Sequence, residues 1–171
     1  MKRIFLLAAG IFSCLFLNAQ SSADFVRSWE KGPDWLKDGV IYQVYPSSYK
    51  DSDGNGIGDI RGVISKLDYI ESLGVRAIWF NPLFVSGWID GGYDVIDFYR
   101  VDPRFGTNND LVELIEKAHA RGIKVMLDLV AGHTSDKHPW FLQSAQDSNL
   151  QYSDYYIWSD RLPDAKAERD L

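Results

Sequence analysis

The amino-acid sequence predicts an α/β protein built on a parallel sheet. Two observations support this: three short apolar runs rich in β-branched and aromatic residues, and segments of helical periodicity between them. The runs cover residues 40–45, 75–80 and 123–130. Strands that alternate with helices are typical of βαβ units, and strands buried on both faces are apolar throughout. The pattern fits an open doubly wound sheet and a (β/α)8 barrel equally well.

The helical segments have clear limits. The first is predicted to begin near Arg61 and to end at Gly74. Its apolar side is formed by Val63, Ile64, Leu67, Ile70 and Leu73. The second is predicted to begin at a capping box of Thr107 and Asp110 and to end at Gly122. Its inward side is formed by Leu111, Leu114, Ile115 and Ala118. The second strand is predicted to be closed by Asn81-Pro82, and a loop that contains residues 87–94 is predicted to follow it.

Residues 1–19 have the pattern of a secretory signal peptide. Lys2 and Arg3 precede an apolar segment, and the chain offers a cleavage point after Ala19. The segment is too short to cross a bilayer, and no integral membrane segment is expected after its removal. We therefore expect a secreted or periplasmic protein, with residues 20–34 as a linker. A lipoprotein anchored through Cys14 is a weaker alternative, because the residues before it form a poor lipobox.

The charge of the chain argues against nucleic acid as a partner. The formal net charge is −6, and loss of Lys2 and Arg3 with the signal peptide would lower it by two, to −8. No basic stripe that could follow a phosphate backbone is visible. Aromatic residues make up 14% of the chain. The rings of Tyr and Trp suit the faces of sugars, although a large core would also use them.

An acidic, glycine-rich loop follows the first predicted strand and indicates a cation site. Its candidate ligands are Asp51, Asp53, Asn55, Ile57 through its carbonyl, and Asp59. Their spacing matches part of an EF-hand, but Gly62 stands where the EF-hand has its bidentate glutamate. We expect Ca²⁺, with Mg²⁺ as an alternative cation. The competing interpretation is a solvated Asp/Gly turn, in which three carboxylates would repel one another without a compensating charge.

Four segments, taken in order, resemble the α-amylase superfamily, glycoside hydrolase family thirteen. They are residues 42–46 with the acidic loop, 74–82, 92–94 leading to 102–107, and 128–135. The likeness extends from about Trp35 to Trp158. Within the family the chain most resembles oligo-1,6-glucosidases and α-glucosidases, because these carry the same acidic loop after the first strand.

The resemblance implies a (β/α)8 TIM barrel that hydrolyses α-glucosidic bonds with retention. Residues 35–130 are then the first three barrel strands with their helices, and residues 131–171 are the start of the domain inserted after strand 3. Retaining enzymes use two carboxyl groups about 5–5.5 Å apart. In the family these follow the fourth and fifth strands, with a third acid after the seventh. We expect all three beyond residue 171, so that residues 1–171 alone would be inactive.

The resemblance also implies half of a pocket for the terminal glucose of an α-glucan or oligosaccharide. Asp90 matches the acid that binds the sugar hydroxyls, and Tyr93 matches the ring that stacks on the sugar. His133 matches the imidazole that donates to the primary hydroxyl, while Asp128 supports the floor of the site. The residues alone favour structural roles instead: Asp90 as a turn cap, Tyr93 as a core residue and His133 as a structural imidazole.

Other polar residues are expected to be structural. Gly132 stands where the family usually has the asparagine that helps to hold a calcium at the inserted domain, so no second calcium site is expected. Asp94 and Asp97 are expected to support the site or the fold. We expect His119 on a helix surface and His138 in a structural position.

Three functions follow from these observations. The first is an exported retaining α-glucoside hydrolase. The second is a non-catalytic sugar-binding or scaffold protein on the same barrel. A small calcium-binding module is the third, but it does not account for the sugar-pocket residues. In such folds the catalytic and ligand-binding residues lie beyond the carboxyl ends of the parallel strands. The acidic loop and the sugar-pocket residues should therefore lie together at that rim of the sheet.

Overall fold

The computed structural model describes residues 32–37, 39–146 and 151–159. The predicted signal peptide, Cys14, most of the predicted linker and residues 160–171 lie outside these ranges. The chain divides into two compact units, Met1–Lys37 and Asp38–Leu171. In the first unit, the described residues form one helical turn, α1 (Asp34–Lys37), in which Lys37 Nζ lies 2.6 Å from Asp34 Oδ1.

The second unit contains two small sheets and several short helices. The strands are β1 (Ile41–Val44), β2 (Ala77–Phe80), β3 (Phe84–Ser86), β4 (Val95–Val101) and β5 (Lys124–Leu127). The helices are α2 (Pro46–Tyr49), α3 (Ile60–Ile64), α4 (Leu67–Ser72), α5 (Asn108–Ala120) and α6 (Pro139–Ser144), with a 3₁₀ turn at Ser153–Tyr155. Within the described ranges, no helix combines the length and apolarity that a membrane crossing requires.

The three predicted strands form one parallel sheet in the order β1-β2-β5. Their carboxyl ends are level, because Val44 pairs with Phe80 and Phe80 pairs with Leu127. Backbone bonds continue past the last strand residues: Asn81 N donates to Val44 O at 3.1 Å, and Asp128 N donates to Phe80 O at 3.1 Å. The residues that follow β2 and β5 are therefore held side by side at one edge.

The helices cover one face of this sheet. The shared core contains strand residues Val44, Ile78 and Phe80 and helix residues Val63, Leu67, Ile70, Leu114 and Ala118, each no more than 1% exposed. On the opposite face, Gln43, Trp79 and Met126 are exposed. Both crossovers thus place their helices on the same side, so the chain winds in one direction. That winding is typical of a barrel, since a doubly wound sheet carries helices on both faces.

The first predicted helix is two helices, which corrects the expectation of a continuous segment from Arg61 to Gly74. Ser65 and Lys66 separate α3 from α4. The Ser65 hydroxyl donates to Gly62 O at 2.6 Å, and Lys66 N donates to Val63 O, three residues back. Both hydrogen bonds span three residues instead of the four of an α-helix, and they interrupt the helix at this point. Leu73 is 46% exposed rather than inward, because α4 ends before it.

The second helix, α5, begins at the predicted capping box. Thr107 Oγ1 accepts from Asp110 N, and Asp110 Oδ2 accepts from Thr107 N at 2.8 Å. Arg61 Nε donates to Asp110 Oδ1 at 2.7 Å, which joins α3 to α5. These contacts lower the pKa of Asp110, the Thr107 hydroxyl contributing most. Leu114 and Ala118 are fully buried as predicted, while Leu111 and Ile115 are half-buried.

An antiparallel pair, β3 with β4, stands where part of the sequence was predicted to be a loop. The pairing joins Phe84 to Val101 and Ser86 to Val95, with irregular register between. The β-rich run at Val95–Val101 is visible in the sequence, but its partner is only three residues long. The two strands bracket residues 87–94 and hold that loop over the carboxyl edge of the parallel sheet.

Substitution of Gly62 tests the close approach of α3 to the backbone before the acidic loop. A Cβ at Gly62 would lie 1.9 Å from the Lys50 carbonyl oxygen, so Gly62→Ala should lower the free energy of unfolding by about 1–3 kcal/mol. Gly132→Ala is the matched control, because no atom lies within 4 Å of its Cβ position. Chemical denaturation of the full-length protein measures both changes, and equal stability of the two variants would contradict the prediction.

His138 makes stability depend on pH. It is buried, its Nδ1 accepts from Trp140 N at 3.1 Å, and burial lowers its pKa although Asp97 offsets part of the shift. The unfolded chain therefore binds this proton more readily, so the contribution is complete above about pH 6.5 and is lost as pH falls below it. His138→Asn keeps a capping acceptor without titrating.

The unfolding midpoint of the full-length protein, measured between about pH 7.5 and 5, should therefore fall more for the wild type than for His138→Asn. Parallel profiles for the two proteins would show that His138 does not contribute.

Candidate functional site

Four polar side chains form a continuous hydrogen-bonded chain across the carboxyl edge of the parallel sheet. Gln43 Nε2 donates to Asn81 Oδ1 at 3.1 Å, and Asn81 Nδ2 donates to the Tyr93 hydroxyl at 3.1 Å. The Tyr93 hydroxyl donates to Asp128 Oδ2 at 2.9 Å. This row of hydrogen bonds therefore connects β1, the residue after β2, the 87–94 loop and the residue after β5.

These contacts fix the protonation and orientation of Tyr93. The bond to Asp128 is the main cause of its raised pKa, with burial adding to the effect. The phenol is therefore a hydrogen-bond donor at neutral pH. Because Asn81 is in turn oriented by Gln43, the hydroxyl end of the ring is held from two sides, by Asn81 and by Asp128.

His133 reaches the same loop from the segment after β5. Its Nε2 lies 3.1 Å from the Tyr93 carbonyl oxygen. A carbonyl oxygen only accepts hydrogen bonds, so Nε2 carries the proton and Nδ1 is the basic nitrogen of the neutral ring. The imidazole is exposed and lines an aromatic cavity of about 570 Å³. His133 thus contacts the loop through Nε2 while its side chain remains exposed to solvent.

Asp94, not Asp90, caps the loop. Asp94 Oδ1 accepts from Asp90 N and Asp94 Oδ2 accepts from Ile89 N, each at 3.2 Å. A backbone bond from Tyr93 N to Asp90 O, 2.9 Å long, closes the turn. The Asp90 carboxylate is exposed and makes no hydrogen bond among the described residues, but it lies close enough to contribute to the raised pKa of Tyr93.

The structure therefore brings together the four residues that were predicted to bind sugar. Asp90, Tyr93 and His133 meet at one rim, and Asp128 lies beneath the phenol. The sequence interpretation missed Asn81, although its position directly after a strand was a usable signal. It also missed Gln43, whose role depends on the register of β1 with β2.

The other polar residues occupy structural positions, as predicted. Asp97 Oδ1 accepts from Tyr99 N at 2.9 Å, His138 is the N-cap of α6, and His119 is exposed in the last turn of α5. Gly132 is exposed and has open space around it.

The acidic loop after α2 has a donor set that suits a hard cation. One carboxylate oxygen each from Asp51, Asp53 and Asp59 lie within 4.8 Å of one another. Positive φ angles at Gly54 and Gly56, 82° and 90°, allow the backbone to curl around that point. Oxygen ligands in such a cluster are those that Ca²⁺ prefers.

The hydrogen bonds inside the loop leave room for a cation. Asp51 accepts from the backbone N–H groups of Gly56, Gly54 and Asp53, and those of Gly56 and Gly54 lower its pKa most. Asp59 accepts from Gly62 N through one oxygen and from Ser52 through the other. A carboxylate has about four lone pairs. Each of these groups therefore keeps at least one acceptor site, and the residues fit the predicted ion.

Comparison with known proteins identifies the family. Residues 43–169 match the α-amylase catalytic domain. An oligo-1,6-glucosidase of Heyndrickxia coagulans is 48% identical over 131 residues, which are 77% of this chain and 24% of the relative. A trehalose synthase/amylase of Mycobacterium tuberculosis is 47% identical over 137 residues, 78% of this chain and 23% of the relative. The chain thus spans about a quarter of the length of these relatives.

A solved structure has a similar fold over most of this chain. The trehalose-6-phosphate hydrolase of Bacillus licheniformis is 50% identical, with a TM-score of 0.73 over 77% of this chain and 23% of that one. Solved relatives of this kind are TIM barrels, which agrees with the one-directional winding of β1, β2 and β5. The three parallel strands are part of a (β/α)8 barrel, and the chain belongs to the α-amylase family, glycoside hydrolase family thirteen.

Proposed function

We propose that the full-length protein is an exported retaining α-glucoside hydrolase acting on α-glucans or on malto- and isomalto-oligosaccharides. The observation that supports this most directly is that Asp90, Tyr93 and His133 lie at one rim, with the Asp90 carboxylate making no hydrogen bond to the part of the chain that the structure describes. The 48% identity to an oligo-1,6-glucosidase agrees with this substrate class. Export rests on the signal-peptide pattern of residues 1–19.

In this proposal each residue contributes a distinct contact to the terminal glucose. Asp90 accepts from two sugar hydroxyls, which is a charge-assisted interaction. The ring of Tyr93 stacks on the sugar and is held by Asp128. His133 uses Nε2 on the loop backbone, which leaves Nδ1 to accept a hydrogen bond from a sugar hydroxyl, in place of the donation that the resemblance implies.

Bond cleavage is proposed to come from carboxyl groups beyond residue 171. Among the described residues, β1 and β5 each have an unpaired edge, and the face with Trp79 and Met126 is uncovered. We therefore propose that residues 1–171 alone are inactive and poorly stable.

We further propose that the acidic loop binds Ca²⁺, with Mg²⁺ as the alternative. Asp51, Asp53 and Asp59 would hold the ion through carboxylates, joined by Asn55 and the Ile57 carbonyl. Bound there, the cation would supply positive charge that balances three acids and fixes the loop ahead of α3.

Activity of the full-length protein tests the proposed function. Glucose release from maltose, isomaltose and starch should be measurable, and the product should keep the α configuration. Tyr93→Phe should lower kcat/KM about tenfold or more, because Asp128 loses its donor and the ring loses its anchor. Tyr69→Phe, an exposed tyrosine on α4, is the control. Absence of turnover on every α-glucan would favour the non-catalytic alternative.

Removal of the cation tests the metal site. A ligand that is present at about 100 times its dissociation constant stabilises the folded state by about 2.7 kcal/mol. A chelator should therefore lower the thermal midpoint of the full-length protein, and Ca²⁺ should restore it. Asp53→Asn should reduce that response, whereas Asp154→Asn, an exposed acid outside the loop, should not. An unchanged midpoint with chelator would support the solvated-turn interpretation.

A further inference from the structure

Trp88 adopts a backbone conformation that side chains rarely adopt. Its φ of 58° makes it the only residue other than glycine with a positive φ in the described part of the chain. The left-handed region brings Cβ close to the following carbonyl oxygen, which is why glycine is preferred there. Specific contacts must therefore hold Trp88 in place, directly before the sugar-binding turn at residues 89–93.

Three contacts hold the indole. Its Nε1 donates to Asp102 Oδ2 at 2.9 Å. The Arg104 guanidinium carbon lies 3.8 Å from the ring centroid, in a cation–π arrangement, and Phe105 meets the ring edge-on at 5.4 Å. The ring is thus fixed by a hydrogen bond, a covering cation and the core.

Asp102 is a strong anchor because it is itself buried and paired. It is only 5% exposed, and its Oδ1 accepts from Arg104 N at 3.0 Å and Arg104 Nε at 3.2 Å. Its backbone N–H donates to Leu83 O at 2.8 Å, which ties it to the start of the β3–β4 hairpin. A buried, hydrogen-bonded charge of this kind resists displacement.

The sugar-binding turn begins at the residue after Trp88, and its Gly92 lies close to the indole. A Cβ at Gly92 would be 3.8 Å from Trp88 Cη2 and 3.4 Å from Pro82, and the φ of Gly92 is 106°. Gly92 immediately precedes Tyr93. A displacement of Trp88 would therefore reach Asp90 and Tyr93 along the backbone of the turn, which Tyr93 N closes by donating to Asp90 O.

We propose that Trp88, locked by Asp102 and Arg104, is a positioning residue that sets the placement of Asp90 and Tyr93 for sugar binding. This inference rests on the proposed function of the site. Trp88 does not contact the sugar; it acts through the turn that it supports. Its strained backbone is retained because the ring contacts beneath the turn require it.

Three variants of the full-length protein test separately the indole N–H, the charge of its acceptor, and the ring together with its backbone conformation. Trp88→Phe keeps an aromatic ring but loses the indole N–H, and Asp102→Asn removes the charged acceptor. Trp88→Gly relieves the backbone and removes the ring. Trp158→Phe is the matched control, because Trp158 Nε1 also donates to a side-chain oxygen, Ser144 Oγ at 2.8 Å.

Steady-state kinetics on an α-glucoside provide the first readout. Asp90 and Tyr93 contact the sugar in both the ground state and the transition state, so their misplacement should raise KM about tenfold or more while kcat changes less. A purely structural role would reduce the amount of folded enzyme, which lowers apparent kcat and leaves KM unchanged. In a double-mutant cycle, Trp88→Phe and Asp102→Asn should be non-additive, since the first removes and the second weakens the same bond.

Hydrogen exchange provides a readout that does not need activity. The amides of Ile89, Asp90 and Tyr93 are hydrogen-bonded within the loop. Trp88→Gly should accelerate their exchange at least tenfold while exchange in α5 stays as in the wild type. The Trp158→Phe control should leave both segments and KM unchanged.

The outcomes distinguish this inference from the proposed function. Raised KM together with faster exchange confined to residues 89–93 supports it. If the wild type is active and KM is unchanged in Trp88→Phe, Trp88→Gly and Asp102→Asn, the inference is overturned. Hydrogen exchange that accelerates in α5 as much as in residues 89–93 overturns it as well. If the wild type shows no turnover, the proposed function fails, and the exchange result alone decides whether Trp88 positions the turn.

Discussion

The candidate site depends on the register of β1, β2 and β5, which aligns the carboxyl ends of the three strands. It places Asn81 and Asp128, which are distant in sequence, as neighbours at one edge, where the Tyr93 hydroxyl bridges them. A shift of one residue in either pairing would turn these side chains to the opposite face of the sheet. The hydrogen-bonded chain from Gln43 to Asp128 is therefore a direct product of strand register.

The loop above this edge is held from two sides. Asp94 binds its backbone from within, and His133 binds the Tyr93 carbonyl from the segment after β5. These contacts engage the backbone of the loop, while the Asp90 carboxylate makes no hydrogen bond among the described residues. In the proposed function, this exposed carboxylate beside the Tyr93 ring would accept hydrogen bonds from sugar hydroxyls.

The acidic loop connects the proposed ion site to the packing of the first crossover. Asp59 contributes an oxygen to the carboxylate cluster and also caps α3 by accepting from Gly62 N. Gly58 and Gly62 allow the backbone on either side of that cap to approach residues 46–50 closely. An ion in the loop would thus stabilise the start of α3, and through Arg61 and Asp110 the contact with α5.

The sequence by itself determined the elements whose signals are local. Apolar runs predicted the three parallel strands, a capping box predicted the start of α5, and residue types with their spacing predicted the acidic loop. Family motifs singled out Asp90, Tyr93, Asp128 and His133. Tertiary structure alone decided the break at Ser65, the short antiparallel pair, the role of Asn81 and the capping of the turn by Asp94. The antiparallel pair and the role of Asn81 depend on contacts between residues distant along the chain, which are fixed only when the strands are in register. The break at Ser65 and the cap by Asp94 are local contacts, and tertiary packing selects them from the several local conformations that the sequence allows.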